Sequence, residues 1–335
     1  MSSVRQRPAV PAVVVLGPTA SGKSDVAMAL ATSATATDRF EIVAVDAMQV
    51  YRHMDIGTAK PTRADRAAVV HHLLDLVDPD HDFAVAEFVA AAAAAAADID
   101  ARGARPLLVG GTGLYLRALT DPMEIPGTWP EIRAALDARA AQEPIEAMHA
   151  ELAGLDPVAA GKMEPTNARR VVRALEVCLG SGRPFSSFGP GLDTYPNVPY
   201  VQFGLRWARP LMAARIETRV HRMVEAGLVD EVAHLVSTSP DLSRTARQAL
   251  GYKELIEHLE GRVSLDEAIA TVVLRTRQFA VRQERWFRRD PRVRWIDIHD
   301  DPVAESVPLI ERHLKTSETP AASDVSDPHR DHEDD

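Results

Sequence analysis

An α/β fold with a P-loop NTPase-like parallel sheet core and a helical insertion domain is what this sequence predicts. Three observations carry the prediction. The apolar run Ala12–Leu16 leads straight into Gly17-Pro18-Thr19-Ala20-Ser21-Gly22-Lys23-Ser24, which fits the phosphate-binding template Gly-x4-Gly-Lys-Ser/Thr. Short apolar segments then alternate with helical stretches and glycine turns, the pattern of a parallel α/β sheet. Beyond Asp121 that alternation gives way to Pro122, Pro126, Pro130 and a helical texture.

The elements follow in order. Ala12–Leu16 reads as a buried strand, and a helix runs over Ser24–Ala31. Glu41–Val45 is a second strand ending at Asp46. An alanine-rich helix covers Phe83–Ile99. Arg105–Val109 is a third strand, closed by Gly110-Gly111-Thr112-Gly113, with a helix from Leu114. Ligands of such sheets sit beyond the carboxyl ends of the strands, so the turns at Gly17, Asp46 and Gly110 are expected on one edge. Residues 131–180 read as helices, 184–199 as loop, 200–207 as a strand rejoining the sheet, and 210–236 and 264–289 as helices. The expected organisation is a core of 1–120 and 200–315, a helical insertion over 121–199, and an acidic tail over 316–335.

Composition limits the functional classes. No apolar run reaches the ~18 residues needed to span a bilayer, and the opening stretch lacks the long apolar region of a signal peptide. The single cysteine, Cys178, excludes an intrachain disulfide and any cysteine-based metal site. A cytoplasmic location is the expectation. The net charge of −10 argues at first against nucleic acid. However, residues 317–335 alone hold seven acids and one arginine, a composition expected to be disordered. Of 38 basic residues, only five are lysine. Eight arginines fall within 275–294 and five within 206–222, two clusters that suit phosphate and base edges. A helix face laced with ion pairs is the plainer account of the same clusters. For His313, His329 and His332, a solvated tail is the favoured reading over a metal site.

In the loop, backbone N–H groups and the helix N-terminus supply donors for an anion. Lys23 reaches the terminal phosphates and Ser24 is a ligand for magnesium. Asp46 reads equally as a magnesium ligand, a general base or a turn cap. Thr112 reads first as a helix N-cap, with a substrate hydrogen bond as the alternative.

The motifs in sequence order are GPTASGKS, DAMQVYRHMDIGTAKP from Asp46, HHLLD at 71–75, VGGTGLYLRAL at 109–119, NARRVVRALEV at 167–177, RIETRVHRMVEAGLVDEV at 215–232, RQALGYKE at 247–254 and the arginine-rich 275–289. Together they resemble the bacterial tRNA dimethylallyltransferase family, from about residue 10 to 300. The resemblance implies transfer of a dimethylallyl group from its diphosphate to N6 of the adenosine just 3′ of the tRNA anticodon, with Mg²⁺. It implies that Gly17, Pro18, Thr19, Ala20, Ser21, Gly22, Lys23 and Ser24 hold the donor diphosphate rather than ATP. Thr19 contacts that diphosphate or the target amine. Asp46 is the base, and Arg219 stabilises the leaving diphosphate. Asp46, Ala47, Met48, Gln49, Thr112, Arg133, Arg169, Arg170, Arg173, Gln248, Gly251, Tyr252 and Lys253 match positions that touch tRNA. One departure is Ala47, where many members carry serine. A monomer that grips the anticodon stem-loop is expected. Two alternatives are a small-molecule kinase using ATP on the same loop, and a nucleotide-gated RNA-binding module. The GTAKP block weighs against the first. Asp46 beside a complete loop weighs against the second.

Overall fold

The computed structural model describes residues 12–33, 39–189 and 191–318. Six strands form one parallel sheet: β1 (Ala12–Leu16), β2 (Phe40–Val45), β3 (His71–His72), β4 (Arg105–Gly110), β5 (Tyr200–Trp207) and β6 (Val293–Ile298), in spatial order β3-β2-β4-β1-β5-β6. The β1 segment AVVVL is buried throughout, as expected of a strand covered on both faces. Its side chains alternate: Val14 and Leu16 join one core with Phe88, Tyr115 and Tyr252, while Val13 and Val15 join the other with Leu205, Ile216 and Ile310. Val13 lies opposite Leu107 of β4 and Val201 of β5, so the strand resuming at Tyr200 pairs directly with the one that starts the chain's sheet.

Two expected elements come out differently. The helix expected over 210–236 is two helices, Arg209–Glu225 and Leu228–Thr238, broken at Gly227, whose φ of 97° is left-handed. The acidic tail does not begin at 316, because the helix Pro302–Glu318 carries through it. Residues 319–335, including His329 and His332, lie outside the described residues. His313 sits on that last helix with its ring against Phe203. Strand β6 and this helix go beyond the sequence reading.

Between β4 and β5 lie the helices Gly113–Thr120, Pro130–Ala140, Ile145–Leu155, Pro157–Ala160 and Ala168–Ser181. The last four surround a separate apolar cluster built around Leu136, Met148, Leu152, Val171 and Leu175. A buried charge network fixes this segment to the sheet. Arg117 pairs with Asp121 and donates to the carbonyls of Leu192 and Thr194. Arg292 pairs with Asp121 and Asp290 and donates to Pro196. Both guanidiniums lie over the Tyr195 ring, at 4.7 and 5.5 Å from its centroid. The outgoing chain at 121 and the returning chain at 192–196 are thereby tied to one point on the core.

Candidate active site

Because β2, β4 and β1 are adjacent and parallel, the turns that follow them are neighbours. The first turn is the phosphate loop, which wraps through left-handed backbone at Ala20 (φ 64°) and Gly22 (φ 89°) into the helix Lys23–Ser33. A Cβ on Gly22 would also stand 2.5 Å from Pro302, so only glycine fits there. Side chains from remote elements hold the loop from outside. Trp207 Nε1 donates to the Ser21 carbonyl and Arg215 Nε to the Ala20 carbonyl, each at 2.9 Å. Arg215 is stacked 4.1 Å over the Trp207 ring. Gln283 Oε1 accepts the Thr19 N–H at 2.9 Å.

In the second turn, Asp46 Oδ1 accepts the Met48 N–H at 2.8 Å. The third turn reaches across, with Thr112 Oγ1 accepting the Ala47 N–H at 3.3 Å. Thr112 stands at the N-cap of Gly113–Thr120 but makes no side-chain cap bond, so its hydroxyl serves the Asp46 turn instead. The cations gather beside this pair. Burial, and then the nearby Arg219 charge, pull Lys23 down to about 8, with Asp46 and Asp25 opposing. Burial likewise pulls Arg219 below its usual value, and Asp46 opposes that too. These shared couplings put Lys23, Arg219 and Asp46 within one electrostatic neighbourhood, where charges act more strongly than in bulk water.

All of this opens on one cleft of about 2970 Å³. Its walls include Thr19, Lys23, Ser24, Asp46, Thr112 and Arg219 on the sheet side. Arg133, Arg169, Arg170 and Arg173 line it from the helical segment, and Gln248, Arg282 and Trp286 from the C-terminal helices.

The sequence pattern of the family described as IPP transferase matches residues 49–290, and that described as isopentenyl transferase matches residues 11–75. The chain belongs to the IPP transferase family. It is 50% identical over 301 residues to the tRNA dimethylallyltransferase of Kineococcus radiotolerans, covering 89% of this chain and 94% of that one. It is 46% identical to the tRNA dimethylallyltransferase of Geobacter metallireducens, covering 85% and 92%. Among solved structures it is similar to the full-length tRNA isopentenylpyrophosphate transferase of Bacillus halodurans, with TM-score 0.64, 36% identity and coverage of 91% and 96%. A eukaryotic dimethylallyltransferase acting on tRNA shares the fold, with TM-score 0.75 at 24% identity, covering 94% of this chain and 81% of that one.

In this IPP transferase, the GTAKP block lines the cleft and is braced from within. Lys60 is almost fully buried and donates to Asp55, Asp75 and the Tyr51 carbonyl. Burial alone would raise Asp75, but the bonds from Lys60 and Arg66 hold it below the usual carboxylate range. Gln49 Nε2 donates to the Thr58 and Ala59 carbonyls, so the expected tRNA contact is also a clasp on its own loop. Glu231 accepts the N–H groups of Asp55, Ile56 and Gly57, and the Tyr252 hydroxyl at 2.6 Å.

Several of the residues expected at the tRNA surface are engaged within the protein. Tyr252 lines the cleft but is fully buried, and its hydroxyl is given to Glu231. Gly251 lines the cleft with a φ of 89° and donates its N–H to Glu254, while Lys253 is not among the lining residues. Arg173 pairs with buried Glu176 at 2.9 Å and donates to the Pro126 and Gly127 carbonyls. Arg133 pairs with Asp137 and lies 3.6 Å from Glu176. Arg169 and Arg170 are exposed on the cleft wall, without a side-chain partner among the described residues. The sequence reading missed Lys60, Glu231 and Gln283. All three stand inside segments the sequence singles out, Lys60 in the GTAKP block, Glu231 in 215–232 and Gln283 in 275–289, but nothing local tells which residue of each segment braces the site.

Proposed function

We propose that the chain runs its family's prenyl transfer in this cleft, with the phosphate loop holding the donor diphosphate and Asp46 acting as general base. Transfer of a dimethylallyl group to tRNA adenosine goes with membership of the family. The finer reading is that the acceptor is N6 of the adenosine just 3′ of the anticodon. One observation carries it: Lys23, Arg219 and Asp46 share a neighbourhood at the loop, on a cleft that the exposed Arg169 and Arg170 also line.

The chemistry follows from those groups. The adenine amine cannot be reached within a stacked loop, so the base must be extruded into the cleft at roughly a few kcal/mol. The allylic C–O bond then breaks and the carbon–N6 bond forms. The electron pair of the broken bond leaves with the diphosphate, where Lys23, Arg219 and the loop amides stabilise the developing charge. The N6 proton passes to Asp46. Thr19, within the loop, is placed to contact the diphosphate or the amine.

Magnesium fits this arrangement in part. Among the described residues there is no group of three or more His, Cys, Asp or Glu able to cage a metal. Ser24 and Asp46, which both line the cleft, offer the oxygen donors that Mg²⁺ accepts, and Mg²⁺ is commonly completed by substrate phosphates and water. When bound, it would neutralise charge on the diphosphate. Ser24 would hold it.

On the tRNA side, Ala47, Met48, Gln49, Thr112, Arg133, Arg169, Arg170, Arg173 and Gln248 would meet the anticodon stem-loop, as all of them line the cleft. Gly251 and Tyr252 also line the cleft, and with Lys253 beside them they would complete the tRNA-facing segment 248–253. No helix among the described residues is long and apolar enough to cross a membrane. We place the protein in the cytoplasm, as a monomer.

The test is nucleoside analysis by mass spectrometry after incubation with tRNA, labelled dimethylallyl diphosphate and Mg²⁺. The reading requires one dimethylallylated adenosine per modified tRNA, lost when the adenosine next to the anticodon is replaced by guanosine. Label retained on the guanosine-substituted tRNA would move the acceptor elsewhere.

A further inference from the structure

We infer that Gln283 is a positioning residue for the donor: its amide sets the phosphate loop against the third turn of the site. The inference rests on the proposed use of the loop for the donor diphosphate.

Gln283 lies near the end of the 23-residue helix Leu265–Phe287 and is 8% exposed. Both ends of its amide are used. Oε1 accepts the Thr19 N–H at 2.9 Å, and Nε2 donates to the Gly111 carbonyl at 2.9 Å. Thr19 belongs to the loop after β1, and Gly111 to the turn after β4, the turn whose Thr112 holds the Asp46 segment. One planar group therefore fixes the spacing between the anion cradle and the turn that orients the base. No other residue type of this length offers an acceptor and a two-hydrogen donor in one neutral fork.

The neighbouring backbone is shaped around this amide. A Cβ on Gly111 would stand 2.5 Å from Gln283 Nε2 and 3.1 Å from the Gly17 carbonyl. The Thr19 N–H, being given to Gln283, serves to locate Thr19 rather than to bind the anion. The helix carrying Gln283 also supplies Thr276, Phe279, Arg282 and Trp286 to the cleft wall. A site mounted on such an element is held more closely than one on a loop.

The decisive variant is Gln283→Met, which removes both hydrogen bonds while nearly preserving volume. Misplacing a reacting group by ~1 Å can cost ~10²-fold. We expect kcat/KM for dimethylallyl diphosphate to fall by about 10- to 100-fold on this basis, with a cooperative melt retained and tRNA affinity unchanged. Gly111→Ala is the second variant, since its methyl displaces the same amide from the opposite side. It should reproduce the donor-specific defect.

Wild-type donor kinetics in folded Gln283→Met would overturn the positioning role. So would donor and tRNA parameters that decline together in both variants, the mark of general loosening. The wild-type chain in the same assay separates the two levels. If it forms no prenylated tRNA, the functional reading itself fails. If it does while Gln283→Met matches it, only the inference about Gln283 fails.

Discussion

The phosphate-loop end of the cleft and the surroundings of Glu176 on its helical wall treat positive charge in opposite ways. At the loop, burial and the Arg219 charge lower the proton affinity of Lys23, burial and Arg215 lower that of Arg219, and neither makes an ion pair with the described residues. On the helical segment, Arg133 and Arg173 are already neutralised, sharing the buried carboxylate of Glu176. Crowded like charges gain most when an anion arrives, because binding relieves the repulsion as well as adding an attraction. Paired arginines must instead exchange one partner for another. The first arrangement suits a group whose charge grows during the reaction. The second suits a polyanion that only has to be held.

Disruption on the donor side should have the largest effects. Asp46→Asn keeps the turn's shape and removes the base, and we expect turnover to fall by ~10²–10⁴ with both substrates still bound. Single-turnover rates beside equilibrium binding check this. Lost binding with a normal rate per bound complex would make Asp46 structural. Lys23→Ala should cost ~10²–10³ in turnover at saturating donor, by analogy with an oxyanion-hole donor.

Lys23 also gives the contrast a pH signature. With its value lowered to about 8, it loses its proton above that pH in the folded chain, well before it would in the unfolded chain. The sign for stability is positive, because the unfolded state binds more protons between about 8 and 10.5, so this group favours folding as pH rises there. The sign for catalysis is negative, because in the proposed mechanism the ammonium is what meets the diphosphate. Donor kcat/KM, which reports the free enzyme, should decline above about pH 8 in the wild type. That limb should be absent in Lys23→Ala.

Effects on the tRNA side should be smaller and separable by salt. Replacing Arg169 and Arg170 by alanine should raise the tRNA KM and lower the salt slope by about one for each phosphate no longer held, with the melting temperature unchanged. Arg173→Ala should add a stability loss of about 1–3 kcal/mol, since buried Glu176 is deprived of a partner. Equal melting temperatures for the two variants would break the distinction between free and paired arginines. Smallest of all, removing residues 319–335 should leave turnover unchanged, because that composition offers little apolar surface to bury. A fall in activity at moderate salt would contradict this.

The same contrast explains what was legible in the sequence. The loop, Asp46 and the third turn were readable because phosphate binding imposes a fixed local spacing, and parallel strands bring their C-terminal turns to one edge. The strands β1, β2, β4 and β5 were readable as short buried apolar runs. Strand β6, VRWIDI, was not: at the sheet's edge it alternates buried and exposed residues and follows an arginine-rich helix that draws the eye. The segments holding Gln283 and Glu231 were legible but their bracing roles were not, because their partners lie 264 and about 175 residues away in sequence. The arginine clusters showed where charge gathers but not which charges are spent internally. That needs the position of Glu176. The internal role of the Tyr252 hydroxyl was hidden for the same reason, its partner Glu231 being remote.

The central claim is that the loop holds an alkyl diphosphate and not ATP. A kinase must surround a transferring phosphoryl group, whereas this site needs to hold only a departing diphosphate. The direct measurement is parallel turnover with tRNA and Mg²⁺, supplying either dimethylallyl diphosphate or ATP. We predict diphosphate and a dimethylallylated adenosine in equal amounts from the first, and neither ADP nor a modified nucleoside from the second. Stoichiometric ADP with a small-molecule acceptor, and no prenylated nucleoside from any tRNA, would contradict the account.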